Sequence, residues 1–345
     1  MSTKTLELQE RTEGKSLYSY QKGAIDKIFK CFEEAPEDYH LLYQLPTGGG
    51  KTVIFSEIVR QYLKHHKKQV LVMTHRIELC KQTSNMLTEF GVSNKIVDSK
   101  ADLSDQGDFN CFVAMVETLN NRLTDNKLDI SDIGLVIIDE AHYNSFTKLF
   151  KFFEKSFILG VTATPLSSNI NLPMKDNYNE LIVGETIQSL IENEFLARAE
   201  IFSYNVGLTS LVVGANGDYT VKSSEDLYTN TDMLTKLIQA YEERCKGKKT
   251  LIFNNGINTS LHVYDTFRRA GYPVAHLDNN NTKKERKAIL KWFKETPDAI
   301  LTSVSILTTG FDEPTVDCIM LNRATKSLTL YYQMIGRGSR ILKNK

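Results

Sequence analysis

Short apolar runs alternate with segments in which apolar residues recur at helical spacing. In the first half the runs are His40–Gln44, Gln69–Thr74, Phe109–Ala114, Leu135–Asp139 and Phe157–Val161. In the second half they are Glu200–Tyr204, Thr250–Asn254, Val274–Leu277, Ala299–Ser303 and Cys318–Leu321. Each is rich in Val, Ile, Leu or Phe and bounded by polar or turn residues, so each predicts a strand covered on both faces. The periodic segments Phe55–His65, Ile77–Phe90, Leu234–Cys245, Ser260–Arg269 and Lys283–Lys294 predict the helices between them. Strand and helix in alternation imply βαβ units and mainly parallel sheets flanked by helices. Two such series predict an α/β protein of two lobes, over 1–190 and 191–345, with the boundary near Gly184–Arg198. The polar stretch Leu166–Glu180 is expected to be a loop, and Gly207–Thr229 an exposed insertion.

The composition fits this picture: of 345 residues, 41% are hydrophobic and 24% charged, the balance of a globular chain with a sizeable core. The formal net charge is zero. No global basic field advertises nucleic acid, although a local stripe or backbone N–H groups suffice to hold phosphates. None of Cys31, Cys80, Cys111, Cys245 and Cys318 forms a CxxC pair, so neither a zinc site nor a disulfide framework is signalled. The first residues are polar and charged, unlike a signal peptide, and no apolar run approaches the ~20 residues of a membrane span. A cytoplasmic protein with reduced thiols is the expectation.

Two motifs carry chemistry. The strand His40–Gln44 runs into Leu45-Pro-Thr47-Gly48-Gly49-Gly50-Lys51-Thr52 and then a helical segment. Strand, glycine-rich loop and helix are the context of a phosphate-binding loop: glycines let backbone N–H groups approach phosphate oxygens, and the helix N-terminus adds a positive dipole end. Lys51 would reach the β- and γ-phosphates of ATP and Thr52 would ligate Mg²⁺. Leu45 stands where the common pattern has glycine. At the end of another buried strand, Asp139-Glu140-Ala141-His142 places two carboxylates where ligands bind in open α/β sheets. Asp139 would hold Mg²⁺ and Glu140 would orient and deprotonate the attacking water.

Together these motifs resemble superfamily-two helicases of the DEAD/DEAH-box kind, with a DEAH form of the acidic box. The resemblance implies two tandem RecA-like lobes with an ATP cleft between them. It extends to Val161-Thr162-Ala163-Thr164-Pro165, the family's third motif, and to Leu17–Gln21, its adenine-reading segment, in which Gln21 would meet the adenine edge. Tyr332–Arg340 matches the sixth motif and implies that Arg337 and Arg340, three apart on one helical face, are arginine fingers, with Gln333 nearby. Leu307–Pro314 matches the fifth, so that Gly310 and Asp312 approach the nucleotide. By the same resemblance Thr74, His75, Arg76, Thr118, Thr302 and Thr308 lie along nucleic acid, and His142, Thr162, Thr164 and Gln333 couple ATP state to grip.

Within the superfamily, the fifth and sixth motifs look like DNA-repair helicases of the RadD/XPB kind, and no Pro-Thr-Pro-Gly segment marks the RNA-directed branch. DNA is thus the expected partner rather than RNA, with the chain monomeric and a protein partner bound through a C-terminal region that this chain lacks. An RNA helicase, a restriction-system motor subunit and a non-unwinding ATP switch remain as alternatives.

Overall fold

The structure is a computed structural model. It describes residues 16–36, 38–97, 109–125, 130–167, 172–215, 217–304, 307, 311 and 313–341. The chain divides into two compact units, one formed by Met1–Pro46 and Gly50–Thr186, the other by Thr47–Gly49 and Ile187–Lys345.

In the first unit the described elements are α1 (Ser19–Glu34), β1 (His40–Gln44), α2 (Lys51–His65), β2 (Gln69–Thr74), α3 (Ile77–Glu89), β3 (Lys95–Val97), β4 (Cys111–Met115), α4 (Val116–Thr124), β5 (Ile133–Asp139), β6 (Phe157–Thr162) and β7 (Glu180–Val183). The seven strands form one sheet in the order β3-β4-β2-β5-β6-β1-β7, with every pair parallel. Successive residues of a strand feed opposite faces, which explains the continuous apolar runs. Leu135 and Ile137 of β5 join one core with Ile54, Phe55 and Ile58 of α2. Val136 and Ile138 join another with Leu119 of α4 and Phe146. Each such aliphatic side chain contributes about 1.5–3 kcal/mol on burial.

The second unit contains α5 (Ile187–Glu192), α6 (Val221–Tyr228), α7 (Thr231–Arg244), β8 (Thr250–Asn254), α8 (Ile257–Arg269), β9 (Val274–Leu277), α9 (Lys283–Glu295), β10 (Ile300–Ser303), β11 (Cys318–Asn322) and α10 (Leu328–Ile335). Its four strands pair in the order β11-β8-β10-β9, again all parallel. The same alternation holds: Leu251 and Phe253 pack with Phe293 of α9, while Ile252 packs with Tyr241, Val263 and Phe267 of α7 and α8. Helix starts follow local chemistry. Thr282 and Glu285 make a reciprocal capping box on α9, and the Asn230 side chain accepts the Asp232 N–H at the head of α7.

Several expectations need correction. Glu200–Tyr204 is no strand. Phe202 instead stacks under the Arg244 guanidinium and the Tyr204 hydroxyl meets Glu243, so the segment spends its side chains on the end of α7. β7 begins within the stretch read as a loop and is an edge strand whose largely exposed side chains give little pattern. The segment read as an insertion contains α6. Residues 168–171 of the predicted loop lie outside the described residues. Among the described residues no helix is long and apolar enough to cross a membrane.

Candidate nucleotide site and its surroundings

Strand order assembles the site. β6 lies between β5 and β1, and the parallel register sets Gln44 beside Thr162 and Asp139 beside Val161. The segments leaving these strands are stitched together: the Leu45 N–H donates to the Thr162 carbonyl at 3.0 Å and the Ala141 N–H to the Val161 carbonyl at 2.9 Å. Three motifs distant in sequence thus leave one sheet edge side by side, at the carboxyl ends where open α/β sheets bind ligands.

Leu45 is buried in the core, and its carbonyl accepts the Lys51 ammonium at 3.3 Å. The residue that departs from the common loop pattern is therefore a structural anchor. Thr47, Gly48 and Gly49 turn the chain toward α2. Gly50 caps that helix at φ +85°, and Gly48 has φ +91°, a region costly to residues with a Cβ. A Cβ on Gly50 would stand 2.5 Å from the Gln21 side-chain nitrogen, so the Gln21 amide lies against the loop backbone. Gln21 is buried; its oxygen accepts the Tyr18 N–H at 3.0 Å and its nitrogen reaches the Tyr20 hydroxyl at 3.4 Å. Thr52 is half-buried in the first turn of α2.

Asp139 is buried, and its carboxylate accepts the Glu140 N–H at 3.0 Å. Burial, and next the Glu140 charge, push its pKa up to about 7, against the opposing pull of Lys51. Glu140 is held at φ +55°, left-handed backbone that a glutamate adopts only under constraint. His142 Nδ1 lies 3.0 Å from the Thr162 hydroxyl and 3.5 Å from Glu140 Oε2. The Thr162 hydroxyl already donates to the Thr164 carbonyl at 2.9 Å and accepts the Thr164 N–H at 3.2 Å. It therefore accepts from His142, which fixes the Nδ1–H tautomer. Burial, countered by Glu140, lowers the His142 pKa and keeps the ring neutral. His142, Thr162 and Thr164 are thus brought together; Gln333, buried on α10, belongs to the other unit.

The donor set suits a hard cation held with a nucleotide: one desolvated carboxylate, a hydroxyl on a helix N-terminus and a buried ammonium beside them. Asp139 and Thr52 would hold Mg²⁺ and Lys51 the phosphates of ATP.

The expected nucleic-acid contacts are less uniform. Thr74 is fully buried, with its hydroxyl turned to the Arg76 carbonyl at 3.1 Å and to Cys80. Thr302 is fully buried too, its hydroxyl shared by the Asn254 amide at 2.7 Å and the Ser260 hydroxyl at 2.9 Å. Both hydroxyls are engaged by protein partners, so any hold on a strand at these two positions would come from the backbone around them. His75, Arg76 at the head of α3 and Thr118 in the first turn of α4 are half-buried. Thr308, Gly310 and Asp312 lie outside the described residues.

In the second unit α10 stops at Ile335, so Arg337 and Arg340 occupy the turn beyond the helix rather than one helical face. Gly336 takes the cap position, and the following turn is closed by Arg337 N–H to Met334 and Gly338 N–H to Ile335. The Arg337 guanidinium donates to the Phe311 carbonyl. Sequence reasoning assigned no role to Tyr143, whose ring packs between His75 and His142. Its place directly after the acidic box was the available signal.

Comparison with known proteins identifies the families of the two units. Residues 14–167 match the family of type III restriction enzyme res subunits, and residues 230–342 match the helicase conserved C-terminal domain. A 51.5 kDa protein of a Lactococcus phage is 29% identical over 88% of this chain and 63% of its own length. A protein of Saccharomyces cerevisiae bearing the provisional name ATP-dependent helicase IRC3 is 28% identical over 95% of this chain and 50% of its own. The chain therefore spans between half and two thirds of these relatives. Among solved structures, the ATP-dependent Type ISP restriction-modification enzyme LlaBIII bound to DNA superposes with a TM-score of 0.70 and 17% identity, over 96% of this chain and 27% of that one. The tandem RecA-like fold is thereby shared.

Proposed function

We propose that this chain, a superfamily-two helicase by its two tandem domain matches, is a nucleic-acid-stimulated ATPase that couples hydrolysis to movement along DNA. The observation that carries the reading is the convergence of Lys51, Asp139 and Glu140 at the carboxyl ends of β1 and β5, the two parallel strands that flank β6.

Lys51 and the N-terminus of α2 bind the β- and γ-phosphates, while Gln21 lies beside the loop to meet the adenine edge. Asp139 and Thr52 hold Mg²⁺, which when bound neutralises charge on the phosphates. Glu140 orients the water and takes its proton; His142 and Thr162 keep that carboxylate in place. Arg337 and Arg340 act as arginine fingers on the γ-phosphate, and Gly310 and Asp312 approach the nucleotide. Arg76, Thr118 and the backbone around Thr74 and Thr302 grip sugar–phosphate without reading bases. Within the superfamily the reading is a monomeric DNA translocase of the RadD/XPB repair branch. A second reading, the motor subunit of a restriction system, is favoured by the res-subunit match and by the fold of LlaBIII.

The test is the ATPase rate without nucleic acid and with single-stranded DNA, duplex DNA or RNA, with Lys51→Ala as control. Stimulation by DNA is expected. Stimulation by RNA alone would turn the reading to an RNA helicase, and stimulation by nothing would turn it to an ATP switch.

A further inference from the structure

Three rings stand in a row at the carboxyl edge of the first sheet. The His75 ring lies 4.1 Å from that of Tyr143 and tilted by 31° to it; Tyr143 lies 4.3 Å from His142 and tilted by 37°. One end of the row belongs to Thr74–Arg76, where β2 passes into α3. The other end is His142, against Thr162 and Glu140. Both His75 ring nitrogens are buried without a hydrogen-bond partner, so ring contact with Tyr143, not a hydrogen bond, orients this imidazole. Leaving a buried polar ring unpaired is costly, and a phenylalanine would avoid the cost.

Tyr143 is tied to the acidic box a second way. Its N–H donates to the Glu140 carbonyl at 3.1 Å, closing the turn that keeps Glu140 in left-handed backbone. The side chain thus touches the segment proposed to grip a strand, and the backbone clamps the carboxylate proposed to activate water.

We infer that Tyr143 is the positioning residue that transmits strand occupancy at Thr74–Arg76 to Glu140; this rests on the nucleic-acid-stimulated ATPase reading. A strand docking on Arg76 displaces His75. With ring centroids this close the neighbouring ring must give way, so Tyr143 follows, and with it the Glu140 turn and the His142 to Thr162 hydrogen bond.

The experiment compares ATPase rates of the full chain with and without a single-stranded oligothymidine, for wild type, Tyr143→Leu and Tyr143→Phe. In Tyr143→Leu the ratio of stimulated to unstimulated rate is expected to fall by a factor in the range of inter-site couplings, about 5- to 150-fold, with the unstimulated rate kept. Tyr143→Phe, which retains the ring, is expected to restore the ratio. An unchanged ratio in Tyr143→Leu overturns the inference while leaving the ATPase reading intact. So does a loss of the unstimulated rate with the ratio preserved, which marks Tyr143 as a prop of the acidic box only. A wild type that no nucleic acid stimulates removes the functional reading and this inference with it.

Discussion

Both units gather polar residues at the carboxyl ends of a parallel sheet, yet they use them in opposite ways. In the second unit the groups are mostly neutral and satisfy one another. Asn322 on β11 donates to Asn254 on β8 at 2.8 Å, and Asn254 donates to Thr302 on β10. Ser260 of α8 meets Thr302 and His276 of β9, each at 2.9 Å, and His276 reaches Asp278 at 3.2 Å. One continuous network spans all four strands and behaves as a frame. In the first unit the same edge carries Lys51, Asp139, Glu140 and His142, buried or half-buried, with Asp139 displaced far from its ordinary pKa. Displaced ionisable groups gathered in one place are the signature of a site kept ready for a ligand. Closed networks give rigidity, and incompletely compensated ones give chemistry.

The strongest way to break the contrast is through the residues assigned to chemistry. Arg340→Ala should lower stimulated ATP turnover by about 10³–10⁵-fold, the usual value of an arginine finger, with thermal stability little changed. Glu140→Gln should cost about 10²–10⁴-fold in turnover while ATP binding, followed with a fluorescent analogue, survives. Unchanged turnover in either would sink that assignment.

Acid should separate the two units. His75 is pushed down to about 4, first by burial and then by the Arg76 charge. The unfolded chain therefore takes up a proton near pH 6.5 that the folded first unit refuses at this ring, so His75 by itself costs stability as pH drops from about 6.5 to 4. The loss is at most about 3 kcal/mol. In the second unit Asp278 is lowered: burial opposes the shift, and the His276 contact and backbone N–H donors outweigh it. That contribution is kept until pH falls below the ordinary carboxylate range. The single tryptophan, Trp292 on α9, reports the second unit alone. Asp139, whose raised carboxyl takes up its proton in the folded unit first, offsets the His75 loss over the same range. The His75 contribution is therefore read as the difference between wild type and His75→Phe in the denaturation midpoint by circular dichroism from pH 7 to 4, with the midpoint by Trp292 fluorescence alike in both. His75→Phe should keep more of its stability at pH 4, relative to pH 7, than wild type does.

The smallest effect is Thr302→Val. It leaves Asn254 and Ser260 short of a partner and should cost about 1–3 kcal/mol. Melting should drop by about 2–4 °C per kcal/mol, with DNA affinity unchanged. Weaker DNA binding without destabilisation would return Thr302 to the nucleic-acid surface.

Much of this was readable before any coordinates. Strands buried on both faces announce themselves as unbroken apolar runs, and helices with one covered face by their period. The loop before Lys51 and the carboxylates after β5 were legible because glycine at positive φ and adjacent acids at a strand end have few other uses. Less legible were elements whose pattern depends on a partner. β7 is exposed along most of its length, and Glu200–Tyr204 has a strand's composition and no strand beside it. The hydroxyls of Thr74 and Thr302 looked free for phosphate until their neighbours were seen.

Residue by residue, the chain determined the alternation of strand and helix, the two parallel sheets and the kinds of side chain at each strand's end. These follow from periodicity and local backbone chemistry, which act over a few residues. The tertiary structure alone decided that β6 inserts between β5 and β1, that Leu45 is an anchor, that Arg337 and Arg340 lie beyond their helix, and that Tyr143 packs between His75 and His142. Strand order and ring contact are set by packing between segments tens of residues apart, where no local pattern records which partner wins.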